Sequence, residues 1–329
     1  MAIYDEIIGH ESIIEYFKGA IKSDKVSHAY IFNGEDFSGK MLLAESFAMA
    51  LQCEKGGEEP CMECKTCKQS MHRNEPDTIY VTHEKPNTIS VDDIRKQVND
   101  DIVLKPYSSR YKIYIIDDAE KMNEQAQNAL LKTIEEPPEY AIIMLLVNNA
   151  NALLSTILSR CVRLDLKAVS GEKIKSFLMK KNQIPDYQAD LCVAFAQGNV
   201  GKALRLSESE KFNEMKDMML QLMRRLDDIE PYEMALAVKQ ISEYKLNIAD
   251  YFDLMTVWFR DILLYKASAD ANGLVFKDQV YEIKKQADKR SYEGIEKCLE
   301  ALDRAKARLK ANVNFDLTIE MLLWKIKEN

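Results

Sequence analysis

The stretch that most constrains this chain is Asn33-Gly34-Glu35-Asp36-Phe37-Ser38-Gly39-Lys40-Met41. A short apolar run, Ala29-Tyr30-Ile31-Phe32, precedes it and reads as a buried strand. Leu42 to Ala50 follows and reads as a helix. A strand, a glycine-bounded loop ending in Gly-Lys and a helix together make the context of a phosphate-binding loop. Backbone N–H groups and the helix N-terminus face the phosphates, and Lys40 reaches them as a point charge. The same pattern calls for Ser or Thr after the lysine, because that hydroxyl holds Mg²⁺. Met41 stands there instead, and a thioether is a poor ligand for a hard cation. Gly34, Gly39 and Lys40 therefore read as a nucleotide site that has lost part of its chemistry.

A chain of 329 residues is long for one core, so two or three domains are expected. Its 11 Gly and 8 Pro are few, which suits a helix-rich chain. The net charge of -8 gives no global basic field, so nucleic acid would have to meet a local patch or basic partners. No apolar run approaches the length of a membrane span. Met1 to Glu6 lacks the basic and apolar character of a signal segment, so a cytoplasmic protein is expected. In that reducing compartment the 7 cysteines are thiols or metal ligands before they are disulfides.

Cys53-x7-Cys61-x2-Cys64-x2-Cys67 has metal-ligand spacing. Tetrahedral thiolate ligation of zinc would fold a polar insert, about 53–72, that has little apolar material of its own. Four protein ligands leave no open position, so the site reads as structural. The alternative is a set of reduced surface thiols. His72 lies beyond the spacing expected of a ligand.

Ile7, Ile8 and Gly9 lead into a helix over Glu11–Ile21. Beyond the cysteines, Thr78–Thr82 reads as a strand, and Ser90 as the N-cap of the next helix. Lys112-Ile113-Tyr114-Ile115-Ile116 reads as a buried strand ending in Asp117-Asp118, where ligands sit on parallel sheets. In nucleotide hydrolases the first carboxylate holds Mg²⁺ through water and the second, usually Glu, orients the attacking water. Helix capping is the alternative role for the pair. A helix from Asn123 to Glu135 stops at Pro137-Pro138. The continuous apolar run Ala141–Val147 reads as a central strand. It ends in Asn148, an amide placed to touch a γ-phosphate or a water, or else a turn signal. A short helix ends in Ser159-Arg160-Cys161, and Val162–Leu166 reads as the last strand. Alternating strands and helices predict an α/β parallel sheet over residues 1–168.

After residue 168 the pattern is all helical. It predicts a small helical region over 169–209 and a helical domain over 210–329. In the last helix Leu317, Met321 and Trp324 share one face, widened by Phe315, Ile319, Leu322, Leu323 and Ile326, which predicts burial of most of that helix, against its own bundle or a partner subunit.

These motifs taken together resemble the clamp-loader branch of the AAA+ family, most nearly its δ′ type. The resemblance rests on Ile7-Ile8-Gly9, the phosphate loop, the four cysteines and Asp117-Asp118-Ala119. It continues through Asn128-Ala129-Leu130-Leu131-Lys132-Thr133-Ile134-Glu135-Glu136-Pro137-Pro138, Ser159-Arg160-Cys161 and Gly198-Asn199-Val200-Gly201-Lys202-Ala203-Leu204. It implies an AAA+ domain carrying the zinc module, a helical lid and a helical collar. It places Ile7 and Ile8 on the adenine side of the nucleotide. It implies motor (γ/τ) and δ subunits, a sliding clamp and primed DNA as partners, with clamp loading driven by ATP. A polymerase label would follow from membership of that assembly alone.

Three departures bear on the subunit's role. Met41 replaces the Mg²⁺ hydroxyl, Asp118 the water-orienting Glu, and Gly201 the phosphate-sensing Arg of the lid motif. The resemblance then implies a non-motor subunit that binds ATP or ADP weakly or not at all. It implies that Arg160 reaches into a neighbour's ATP site as an arginine finger. The rivals are a motor-type ATPase, against which the same three departures count, and a zinc-dependent nucleic-acid-binding module, against which the acidity counts.

Overall fold

The computed structural model describes residues 4, 7–83, 85, 88–311 and 313–329. Most of the first six residues, read above as free of a signal segment, lies outside them. The chain divides into two compact units: Met1–Phe177 with Gln197–Lys202, and Leu178–Ala196 with Ala203–Asn329.

In the first unit α1 (Glu11–Lys22), β1 (Ala29–Asn33), α2 (Lys40–Leu51), α3 (Lys65–Met71), β2 (Thr78–Tyr80), α4 (Val91–Ile94), β3 (Lys112–Ile116), α5 (Glu124–Glu135), β4 (Ala141–Val147), α6 (Ser155–Leu158) and β5 (Val162–Asp165) follow one another. The five strands make one sheet in the order β2-β3-β4-β1-β5, parallel at every pairing. Alternation along the strands sorts their side chains between two faces. Ile31, Tyr114, Ile116, Ile143 and Leu145 pack on one side with Ile94, Ala126, Leu130 and Ile157. Tyr30, Phe32, Ile113, Ile115 and Met144 pack on the other with Ile13, Phe17, Leu43 and Phe47. Phe17 of α1 stacks on Phe47 of α2 at 4.0 Å between ring centres. Covered on both faces, the sheet is a three-layer α/β sandwich, as its near-continuous apolar inner strands β1, β3 and β4 require.

Two sequence cues set local starts as expected. Ser90 caps α4 and Asp93 returns the bond, a capping box. Asn123 caps α5 through Ala126 N–H. Helix α4 passes directly into a π-helical turn, Arg95–Asn99, which the apolar period did not signal.

Helices α7 (Gly171–Lys181), α8 (Asp186–Ala196) and α9 (Val200–Glu208) come next. They are followed by α10 (Glu210–Arg225), α11 (Pro231–Ser242), α12 (Ile248–Ser268), α13 (Val280–Lys289), α14 (Tyr292–Lys310) and α15 (Phe315–Glu328). No strand follows β5 among the described residues. In the second unit Tyr251, Trp258 and Phe259 of α12 are fully enclosed. Trp258 Nε1 donates to Gln286 Oε1 at 3.2 Å, and Gln286 Nε2 to Met223 O at 2.7 Å. The chain's own bundle covers part of the α15 stripe. Phe315, Ile319, Leu322, Leu323 and Ile326 are buried, but Leu317 and Met321 are 54% and 47% exposed. The helix packs on α14, α11 and the turn Leu226–Asp228, and Leu317 and Met321 lie outside that cover.

Candidate nucleotide site, cysteine cluster and exposed arginine

The phosphate loop joins β1 to α2. Gly39 precedes α2 at φ 100°, a left-handed position that costs glycine nothing. Gly34 N–H donates to Val147 O at 3.0 Å, tying the loop's start to the end of β4. A Cβ at position 34 would lie 2.8 Å from Ser38 Oγ and 2.9 Å from Leu166 Cβ, so the loop closes only around glycine. Lys40 is buried, and its ammonium donates to Gly34 O at 2.6 Å, to Glu35 O at 3.3 Å and to Asn148 Oδ1. The Asn148 N–H in turn donates to Glu120 Oε1 at 3.1 Å. The fold thus brings Gly34, Gly39, Lys40 and Asn148 together at the C-terminal ends of the adjacent inner strands β1 and β4.

Asp117 ends the neighbouring strand within the field of Lys40. Desolvation there holds its carboxyl above the usual range even though Asp118 N–H donates to its Oδ1 at 3.0 Å; the Asp118 charge pushes the same way as desolvation. Asp118 itself adopts a left-handed backbone, and its carboxylate pairs with Lys121 at 2.8 Å. Met41 turns its side chain into the apolar cluster of α1 and α2. The loop fits phosphates: its glycines and lysine are in place, and Ser38 Oγ is enclosed without a partner. It does not fit Mg²⁺ held through a loop hydroxyl at position 41.

On the adenine side expected for Ile7 and Ile8, both are half-buried, and Ile7 packs against the α1–α2 cluster. A cleft of about 320 Å³ opens one residue further on, lined by Gly9, His10, Asp165, Ala168, Val169 and Lys173 among others. His10 Nε2 lies 3.2 Å from Ser38 O, and burial lowers its pKa. Neither His10 nor Asn199 stood out in the sequence as a contact to the loop. Asn199 Nδ2 donates to Asp36 O at 2.7 Å, and Gly201 N–H donates to Phe37 O at 3.2 Å. A Gly-Asn pair at a helix start was the available signal for Asn199. Nothing in the pattern says that its amide turns back to the loop.

The four cysteine Sγ atoms lie within 4.8 Å of one another, with Cys61 Sγ and Cys67 Sγ at 3.9 Å. A tetrahedron of Zn–S bonds of about 2.3 Å has edges of about 3.8 Å, so the cluster is sized to bind a metal ion. Cys61, Cys64 and Cys67 N–H groups donate to the Sγ atoms of Cys53, Cys61 and Cys64 at 3.4, 3.3 and 3.4 Å. Donors on sulfur favour thiolate at Cys61, where backbone N–H groups of Glu63 and Cys64 hold the thiol down to about 6, whereas burial pushes Cys53 and Cys67 up. His72 is not in the cluster.

Arg160 follows α6 on the surface, its side chain 41% exposed. Nη1 donates to Thr156 O at 3.0 Å and Ser159 Oγ at 3.3 Å, and Nη2 meets Glu135 Oε1 at 2.9 Å. Burial pushes the neighbouring Cys161 thiol up to about 12, so Cys161 anchors the turn while Arg160 faces outward. No described helix is long and apolar enough to cross a membrane.

A β2-β3-β4-β1-β5 parallel sheet with a phosphate loop after β1 and carboxylates after β3 defines an AAA+-type P-loop protein. Family models described as "DNA polymerase III, delta subunit" and "DNA polymerase III, delta subunit, C terminal" match residues 9–170 and 209–328. The chain belongs to the clamp-loader family of DNA polymerase III. It is 28% identical to DNA polymerase III subunit delta' of Bacillus subtilis over 320 residues, covering 96% of this chain and 95% of that one. It is 30% identical to subunit tau of the same organism over 301 residues, covering 85% of this chain and 53% of that one. It is 34% identical to subunit tau/gamma of Haemophilus influenzae over 211 residues, 62% of this chain and 30% of that one. The chain thus spans about half or less of the tau-type relatives and nearly all of the delta' relative.

Proposed function

We propose that this chain is a δ′-like, non-motor subunit of the DNA polymerase III clamp loader. In this reading it assembles with motor (γ/τ) and δ subunits, helps place the sliding clamp on primed DNA, and stimulates a neighbour's ATPase through Arg160. The carrying observation is the disabled phosphate loop. Met41 is committed to the core, and Asp118 is committed to Lys121. A loop that keeps its phosphate cradle but cannot place metal or water suits a subunit that holds position while others turn over ATP. Arg160 supports the second half: a guanidinium on the surface, braced on three acceptors, is prepared for an anion on another chain. The division near residues 168 and 209 into AAA+ domain, lid and collar belongs to this reading. So does a structural zinc on Cys53, Cys61, Cys64 and Cys67.

Similarity to tau and gamma subunits keeps a motor role as the rival. ATP turnover by the isolated chain separates the two. The proposal expects turnover indistinguishable from buffer; a rate like that of an isolated motor subunit would refute it.

A further inference from the structure

Three successive carbonyls of the phosphate loop are each approached by a polar group from outside it. Asp36 O accepts from Asn199 Nδ2 at 2.7 Å, Phe37 O from Gly201 N–H at 3.2 Å, and Ser38 O lies 3.2 Å from His10 Nε2. Two of these partners come from one short segment, residues 198–201. That segment is fixed at its other end, where Val169 N–H donates to Gly198 O at 2.8 Å. Gly198 has φ 90°, and a Cβ there would lie 2.6 Å from Ala168 Cβ. Asn199 is 7% exposed, and its Oδ1 also accepts from Lys202 N–H at 3.0 Å.

Two of the first N–H groups of α9 are thereby used. A helix N-terminus with free N–H groups attracts anions. Here Gly201 N–H goes to a loop carbonyl and Lys202 N–H to the Asn199 side chain. Position 201 also allows no side chain in this contact. A Cβ would stand 2.3 Å from Phe37 O and 3.0 Å from Phe37 Cβ, and the first of these is backbone that cannot swing aside. The glycine is therefore more than a missing arginine. Any larger residue would have to lift the segment from the loop.

We infer that residues 198–201 are a strap that holds the phosphate loop in one shape through its carbonyls, so that the loop's order does not depend on nucleotide. The inference rests on the non-motor reading above and deepens it: the segment that would sense a bound phosphate reads the chain's own backbone. The loop is pre-formed as a rigid part of the subunit, and nucleotide binding contributes no ordering to it.

Amide hydrogen exchange on the full chain tests this, with Asn199→Ala and Gly201→Ala beside the parent, each with and without saturating ATP and Mg²⁺. In the parent, the bonded amides of the loop and strap, Gly34, Ser38 and Gly201, should exchange slowly and at the same rate with and without ATP. Either substitution should speed them at least tenfold while β4 amides keep their parental rates, which shows that the fold is intact. Should Gly201→Ala lose β4 protection, Asn199→Ala decides, since it removes one amide and adds no bulk. Parental loop rates in the variants, or a parent loop that slows markedly with ATP, would overturn the strap. ATP turnover on the same samples separates the two ideas. Motor-like turnover would sink the non-motor reading whatever the exchange shows, and loop exchange left at the parental rate by both substitutions would sink the strap alone.

Discussion

Lys40 and Met41 are neighbours with opposite fates. The lysine stays in the loop among carbonyls and an amide, while the thioether joins the core. Restoring the hydroxyl should therefore not restore chemistry. Met41→Thr is expected to show no ATP turnover above background in the isolated chain, because Asp118 is held by Lys121 and position 201 carries no guanidinium. Turnover at a motor-like rate in that single variant would show that the hydroxyl was the only defect. The sequence made Gly34, Gly39, Lys40 and Met41 legible because a phosphate loop is a local object, fixed by a few consecutive residues. It did not disclose His10 or Asn199. Their partners are backbone carbonyls 28 and 163 residues away, and contacts at that separation depend on the folded topology.

At the scale of elements, two loops depend on polar groups more than on apolar burial. The segment 53–72 has its four sulfurs converged, with N–H donors on three of them. Cys64→Ser is expected to release about one zinc per chain and to raise hydrogen exchange across 53–72 while β1 and β4 stay protected. Native protein purified without chelator and found free of zinc would contradict the assignment. The loop before β3 hangs on Asp77, which accepts from Tyr107, Ser108 and Ser109 N–H at 2.5, 2.8 and 2.8 Å. Burial alone would raise the Asp77 pKa, but these donors outweigh it and hold the carboxyl below the usual range. A depressed folded-state pKa means a stabilisation that is present above the unfolded value of about 3.9 and lost as pH falls through the folded one. Asp77→Ala should cost about 2–3 kcal/mol at pH 7. The gap from the parent should narrow only below about pH 4. A gap that does not change across the acid range would mean that the loss is packing and not charge. No sequence period pointed to Asp77, since its partners are main-chain groups in a loop. Element positions were far more legible: β1, β3 and β4 fall where apolar runs stand, and β5 where the pattern alternates. The α15 stripe was legible as apolar surface, but amphipathic width does not say which part of it the chain's own helices cover.

For the whole molecule, the proposed non-motor reading joins three features: an acidic chain, a phosphate loop with Met41 in place of the metal hydroxyl, and an outward arginine. Its own site is expected to be silent, and its effect is expected to appear in a neighbour's site. A guanidinium that reaches a γ-phosphate acts on charge developing in the transition state, and such fingers are worth on the order of 10³-fold or more at one site. Lysine lacks the planar fork and should not substitute fully. The most direct measurement reconstitutes the chain with motor and δ subunits and compares parent with Arg160→Ala. Complex mass, melting temperature and the ATPase stimulated by clamp and primed DNA are read on the same preparations. The account predicts equal mass and melting with ATPase clearly reduced, short of the full single-site factor because other sites keep their own fingers. Undiminished ATPase in a correctly assembled complex would contradict it.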